Sequence, residues 1–255
     1  MTLFSDSLSQ SVLLLVSGFF SGFVDSIAGG GGLINLPILT LLLGPGPLAI
    51  GTNKVAGALG AFVALLVYAR HGHLNLKRSL YFSSCVALGA LIGSSLSPLL
   101  PIQTFKWLLA ITCPIILVTV WKKELWMARD TPQLNERAMR IFASGLMCGF
   151  YDGAWGPGAG IFMLLALLFF GNLPLFAALA TSKLTNTSSG TIALTNYAMG
   201  GYVNWIFGIC MALGTIGGAY VGARYATKKA SQIVRPILFF IVVLLMFKIF
   251  VHDQA

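Results

Sequence analysis

Apolar stretches long enough to cross a bilayer, and free of charge over most of their length, follow one another through most of this 255-residue chain. A spanning helix needs about 20 such residues. The runs cover about 9–28, 32–43, 47–69, 79–100, 104–121, 139–155, 159–170, 174–199, 203–225 and 234–251. They leave no room for a separate soluble domain. Only 9% of the residues are charged, against roughly 25% in an ordinary soluble domain, so the surface of this chain is built for lipid.

Continuous hydrophobicity punctuated by glycine, without strand-like alternation, selects helices over a membrane barrel. The expected fold is therefore an all-α integral membrane protein of about ten membrane segments, eight if the two shortest do not cross. The formal net charge of +9 would raise the question of nucleic acid in a soluble protein. Here the Lys and Arg gather in the short gaps between apolar runs, as they do in cytoplasmic loops, and no nucleic-acid partner is expected. Residues 1–10 carry one acidic and no basic side chain, unlike the basic start of a cleavable signal peptide. Cys85, Cys113, Cys148 and Cys210 all lie in apolar runs without metal-ligand spacing, and packing is their default role.

Laying the halves side by side exposes an internal repeat. Gly22-Phe23-Val24-Asp25 matches Gly149-Phe150-Tyr151-Asp152. Thr52, Lys54, Ala64, Leu65, Tyr68, Ala69, Gly72 and Asn75 fall on Thr181, Lys183, Ala193, Leu194, Tyr197, Ala198, Gly201 and Asn204 at a constant offset of 129. The basic loops do not correspond. The loop at 70–78 carries Arg70, Lys77 and Arg78 where its counterpart at 200–204 is uncharged, and Lys106 alone faces Arg224, Lys228, Lys229 and Arg235. Five segments per half, an odd number, put the basic loops at 70–78, 122–140 and 224–235 on one, cytoplasmic side. The expected organisation is a first membrane repeat over 1–121, a basic cytoplasmic linker over 122–138 and a second, inverted repeat over 139–255.

Each repeat contains one segment of only about 12 apolar residues, about 18 Å of helix at 1.5 Å per residue. That is too short for a hydrocarbon core about 30 Å thick. Both follow glycine clusters, Gly29-Gly30-Gly31-Gly32 and Gly156-Pro157-Gly158-Ala159-Gly160. Short, glycine- or proline-broken segments at matching places are the best sequence pointer to a carrier's binding site. Glycine backbone leading into a helix offers unpaired N–H groups and the positive end of the helix dipole to an anion. Glycines can also serve close helix contact, the role expected of Gly89 with Gly93 and of Gly214, Gly218 and Gly222.

Asp25 and Asp152 each stand four residues before a glycine cluster. A lone carboxylate at such depth needs a partner or a proton, which makes both candidate coupling residues and protons a candidate coupling ion. Lys54 and Lys183 stand in the matching strings Thr52-Asn53-Lys54 and Thr181-Ser182-Lys183. They could snorkel to the interface or merely tie helices together; their duplication beside hydroxyl and amide donors favours a site. The second repeat adds Thr185, Asn186, Thr187, Ser188 and Ser189 where the first has Ala56, Gly57, Ala58, Leu59 and Gly60. The expected binding residues for a small anion are thus Gly29, Gly30, Gly31, Gly32, Thr52, Asn53, Lys54, Gly156, Gly158, Ser182, Lys183 and Asn186, with a net positive potential. His71 and His73 lack further ligands nearby in sequence and read as loop residues.

The strings Phe23-Val24-Asp25-Ser26-Ile27-Ala28-Gly29-Gly30-Gly31-Gly32-Leu33, Gly51-Thr52-Asn53-Lys54, Gly149-Phe150-Tyr151-Asp152-Gly153 and Gly156-Pro157-Gly158-Ala159-Gly160-Ile161-Phe162 resemble the signatures of the sulfite exporter TauE/SafE family. The resemblance runs from about residue 15 to 250 and is nearest the bacterial branch of probable transporters in the inner membrane. It implies multi-pass insertion in the inner (plasma) membrane and transport of sulfite, a sulfonate or a related small organic anion, without ATP hydrolysis by the protein itself. The reading that follows is a secondary carrier with alternating access. An anion channel is the nearest alternative, and an intramembrane enzyme built on the two aspartates a more distant one. No metal motif, nucleophile–base pair or cofactor fingerprint accompanies those aspartates, so no catalytic residue, metal or cofactor is expected. The sequence leaves the oligomeric state open.

Overall fold

A chain without water to satisfy its backbone closes its hydrogen bonds within helices. The computed structural model, which describes residues 7–101, 103–104 and 134–227, is helical in this way and has no strand among the described residues. Its helices are α1 (Ser7–Ala28), α2 (Gly32–Leu43), α3 (Pro47–Arg70), α4 (Leu76–Leu96, followed by a 3₁₀ turn at Ser97–Leu99), α5 (Leu134–Ala154), α6 (Ala159–Phe169) and α7 (Leu175–Met199). The last described helix is α8 (Trp205–Thr227). Four stretches are long and apolar enough to cross a membrane, Ser7–Ala28, Pro47–Arg70, Ser79–Leu99 and Trp205–Thr227. The segments expected over 104–121, beyond Thr104, and over 234–251 lie outside the described residues, as does most of the basic linker.

Large apolar side chains cover the outside of these helices. Val16 and Phe20 on α1, Leu88 and Ile92 on α4, and Ile206 and Leu213 on α8 are all exposed. Water would penalise such a surface, whereas lipid accommodates it.

Small residues set the helix crossings. Gly18 and Gly22 of α1 lie on the backbone of Met211 and Thr215, while Gly214 and Gly218 of α8 lie on the carbonyls of Leu15 and Phe19. The numbers rise together, so α1 and α8 run in the same direction. The same pattern joins α4 and α5: Gly149 and Gly153 lie on Val86 and Ala90, and Gly89 and Gly93 on Leu146 and Phe150. A Cβ would stand 1.8 Å from the Phe19 oxygen at Gly218, and 1.9 Å from the Val86 oxygen at Gly149. No side chain larger than hydrogen fits there. These are the contact faces that the four-residue glycine spacing predicts, and each joins the first helix of one half to the fourth helix of the other.

Helices α3 and α7 pack against each other in opposite directions, Gly51 meeting Tyr197 and Gly190 meeting Ala58. Matching tyrosines brace the matching helices: Tyr68 Oη donates to the Ser26 carbonyl at 2.9 Å, and Tyr197 Oη to the Gly153 carbonyl at 2.9 Å. The loop histidines are absorbed structurally. His71 Nδ1 lies 2.8 Å from the Val67 carbonyl and His73 stacks on Phe176.

Candidate functional site

Both glycine clusters break the chain and turn it back on itself. Gly29 has φ of 89° and Gly156 φ of 99°, a region that side-chain-bearing residues rarely enter. After the first break α2 folds back along α1, and Ser21 Oγ donates to the Gly31 carbonyl at 2.9 Å. After the second, α6 folds back along α5, with Tyr151 Oη donating to the Pro157 carbonyl at 2.6 Å. The two breaks then meet. A Cβ on Gly29 would fall 2.4 Å from the Gly160 carbonyl carbon, and one on Gly32 3.2 Å from Pro157 Cα.

A cavity of about 50 Å³ lies where they meet. At about 10–15 Å³ per water, it takes a few waters or one small ion. Gly29, Gly31 and Gly32 line it on one side and Gly156 and Gly160 on the other. Asn53, Lys54, Gly57 and Ala58 of α3 and Asn186 and Gly190 of α7 add walls, and Asp25 and Asp152 border it. Gly32 is the first residue of α2 and Gly160 the second of α6, within the first turn, where the helical pattern offers amides no acceptor.

The charged groups pair across the halves. Lys54 Nζ donates to Asp152 Oδ1 at 2.8 Å and to the Asp152 carbonyl. Lys183 Nζ donates to Asp25 Oδ2 at 2.9 Å and to the Asp25 carbonyl. Two lysines and two aspartates balance, so this centre carries no net charge. That differs from the net positive site expected from sequence, because neighbours in the chain cannot reveal an exchange of partners between halves. The two pairs are also unequal. Asp152 Oδ2 accepts from Ser189 Oγ at 2.6 Å, whereas Asp25 Oδ1 accepts from the Gly31 N–H at 3.2 Å.

Other expected site residues stand elsewhere. Thr52 Oγ1 donates to the Leu48 carbonyl and accepts from the Asn204 N–H. Ser182 Oγ turns back to the Leu179 carbonyl. Gly30 and Gly158 are not among the residues lining the cavity, and neither is Lys183, which lies buried beyond Asp25. Of the polar run on α7, Asn186 lines the cavity and Ser189 reaches Asp152. Thr185 and Thr187 bond their own helix, and Ser188 accepts from Ser83.

The cavity also recruits Ser21, Asn35 and Thr215, which the sequence reading missed. Asn35 had a signal, being the one amide in an α2 whose only other polar side chain is Thr40. Ser21 sits one helical turn before Asp25. Thr215 had none. Asn35 and Asn53 are 1% and 6% exposed, and the Oδ1 of each is buried without a hydrogen-bond partner. Buried side-chain polar atoms are ordinarily hydrogen-bonded, so two such oxygens beside one small cavity mark it as a polar space.

Helices with apolar outer surfaces, four of them long enough to cross a bilayer, mark a membrane protein. The family model described as Sulfite exporter TauE/SafE matches residues 14–249, and the chain belongs to that family. It is 37% identical over 233 residues to a Sinorhizobium sp. protein called probable membrane transporter protein ORF9, covering 88% of this chain and 86% of the relative. It is 31% identical over 247 residues to a probable membrane transporter protein of Haemophilus influenzae, covering 95% of each. The probable membrane transporter protein YfcA of Escherichia coli is 31% identical over 248 residues, 93% of this chain and 90% of YfcA. No solved structure matches.

Proposed function

We propose that the protein is a secondary carrier of the inner membrane that moves a small anion, sulfite, a sulfonate or a related organosulfur or organic anion, by alternating access. The observation that carries this reading is the small cavity onto which both glycine breaks open, beside Lys54 and two buried amides with unbonded oxygens. Helix-start N–H groups and the amides of Asn35, Asn53 and Asn186 supply donors to an oxyanion. An Asn side chain can turn to present its NH₂ group. Asp25 or Asp152 couples transport to protons, and Lys54 and Lys183, each paired with one of them, supply positive charge to the anion.

The frame for this site is ten segments in two inverted repeats. Antiparallel packing of the matching α3 and α7, and the matched exchange of helix contacts and ion pairs between halves, support that frame. Thermal-shift screening of purified protein against sulfite, thiosulfate, sulfonates and carboxylates ranks the ligands, because binding to the folded state raises apparent stability. Saturable counterflow of the best ligand in proteoliposomes is the expected result. Conductance far above carrier turnover would make the same groups the lining of a channel.

A further inference from the structure

We infer that the Asp25 carboxylate is a resident stand-in for the transported oxyanion: substrate displaces it from Lys183 and the Gly31 N–H, and Asp25 takes up one proton as it leaves. This rests on the anion-carrier reading and assigns the coupling to one of the two aspartates.

Position argues first. Lys183 is fully buried behind Asp25, which itself lines the cavity. A ligand reaches that ammonium only by taking the place of the carboxylate. Lys54, by contrast, borders the cavity directly. The donors that Asp25 now occupies, one ammonium and the N–H at the start of α2, are a set suited to an oxyanion. The unbonded amides of Asn35 and Asn53 line the same space.

The anchoring of the two carboxylates argues next. Asp152 is held on both oxygens by short bonds, 2.8 Å from Lys54 and 2.6 Å from Ser189. Asp25 has a comparable bond to Lys183 at 2.9 Å but only a 3.2 Å bond from Gly31, and its side chain is 17% exposed against 10% for Asp152. The repeat explains the difference. Ser189 corresponds to Gly60, so the first half has no hydroxyl at the matching place to hold Asp25.

Charge completes the case. The centre is neutral with both pairs formed, and an added monoanion would leave an uncompensated negative charge in a largely dehydrated space. Protonating the displaced Asp25 restores neutrality. The carboxylate gains a proton from water, the anion takes over its two donors, and the net charge of the cavity does not change. The other titratable groups near Asp25 are Lys183 from α7, Tyr68 from α3, and Lys54 and Asp152 around the shared cavity. Towards the cavity α2 presents Asn35, α6 Gly160 and α8 Thr215.

Calorimetric titration of the purified full-length protein with methanesulfonate and thiosulfate, in two buffers of different ionisation enthalpy, counts protons taken up per anion bound. Methanesulfonate does not itself titrate near neutral pH. The expected result is about one proton per methanesulfonate, with Kd rising about tenfold per pH unit on the alkaline side. Asp25→Asn should bind with a flat pH profile and no uptake, and more tightly than wild type at high pH. Asp25→Glu and Asp152→Asn should keep the uptake, whatever their affinity. A flat wild-type Kd without uptake overturns the inference while leaving the carrier reading intact, and this requires no variant to fold. Uptake persisting in Asp25→Asn also overturns it. Failure of both anions to bind overturns the anion-carrier reading, and this inference with it.

Discussion

Replacing Lys54 by methionine leaves Asp152 buried with a negative charge and no cation beside it. Lys54 and Asp152 expose only 5% and 10% of their side chains, and their charged atoms are 2.8 Å apart. Breaking a buried pair from one side costs about 3–5 kcal/mol. Ser189 still bonds Asp152 and the carboxylate borders a cavity, so the low end, about 3 kcal/mol, applies. At about 2–4 °C per kcal/mol for a chain of this size, Lys54→Met should lower Tm by about 6–12 °C. Asp152→Asn strands the ammonium and should act similarly. The double variant removes both charges while keeping an amide for Ser189, and it should fall within about 1 kcal/mol of wild type, a coupling of several kcal/mol between residues far apart in sequence. Thermal unfolding in detergent, followed by tryptophan fluorescence, closes the cycle. Additive losses in the double variant would refute the pairing and favour independently solvated charges.

Lys54→Ala or Lys183→Ala should weaken anion binding by about tenfold or more in a folded protein, with Lys→Arg retaining part of it; unchanged affinity in the double alanine variant would count against both lysines. Gly149→Ala should cost about 1–3 kcal/mol, because its Cβ meets the Val86 carbonyl, whereas Gly57→Ala, mid-helix and facing no atom within 4 Å, should raise Tm slightly, by the effect of about 0.5–1 kcal/mol for Ala over Gly in a helix. Cysteine labelling should find both termini and the 199–204 loop outside, and residues 122–140 and 224–235 inside; a cytoplasmic C-terminus would rule out five segments per half. Cross-linking Ala58→Cys to Gly190→Cys, whose Cβ atoms would lie 3.2 Å apart, should stop transport and release it again on reduction; transport surviving the cross-link would refute opening beside Ala58 and Gly190.

The glycine breaks and the four charged residues were legible because each is conspicuous in an apolar run. The breaks, Asp25, Asp152 and Lys54 do gather at one centre, and Lys183 joins it through Asp25. The identity of the partners was not legible, since spacing within one half says nothing about a lysine that crosses to the other. Ser182 shows a second limit. It adjoins Lys183, yet one residue turns a helix by about 100°, enough to send its hydroxyl to the Leu179 carbonyl. Thr52 fails in the same way, one residue before Asn53. Asn35 was overlooked because one amide in a short apolar helix carries little weight until the fold brings that helix against Asn53 and the opposite break.

The exchange of contacts between halves also changes what can move. Sequence symmetry suggests two halves rocking as bodies, one over 1–121 and the other over 139–255. Yet α1 of the first half is joined to α8 of the second, and α4 to α5, through glycines in backbone contact. Separating either pair would open a dry interface packed without side chains, which lipid tails fill poorly. In the proposed carrier, each pair is therefore expected to move as one unit drawn from both halves. The α3–α7 contact is also close, a Cβ on Gly51 falling 2.8 Å from Tyr197 Cβ and one on Gly190 3.2 Å from Ala58 Cβ, and the cavity begins beside Ala58 and Gly190. In the proposed carrier, the two glycine breaks are the places where the backbone departs from helix and can bend. The ion pairs tie α3 to α5 and α7 to α1. In the proposed carrier, displacing Asp25 from Lys183 would release the α1–α7 tie while Lys54 and Asp152 keep α3 on α5, so the unequal anchoring of the two carboxylates would let the two ties open one at a time.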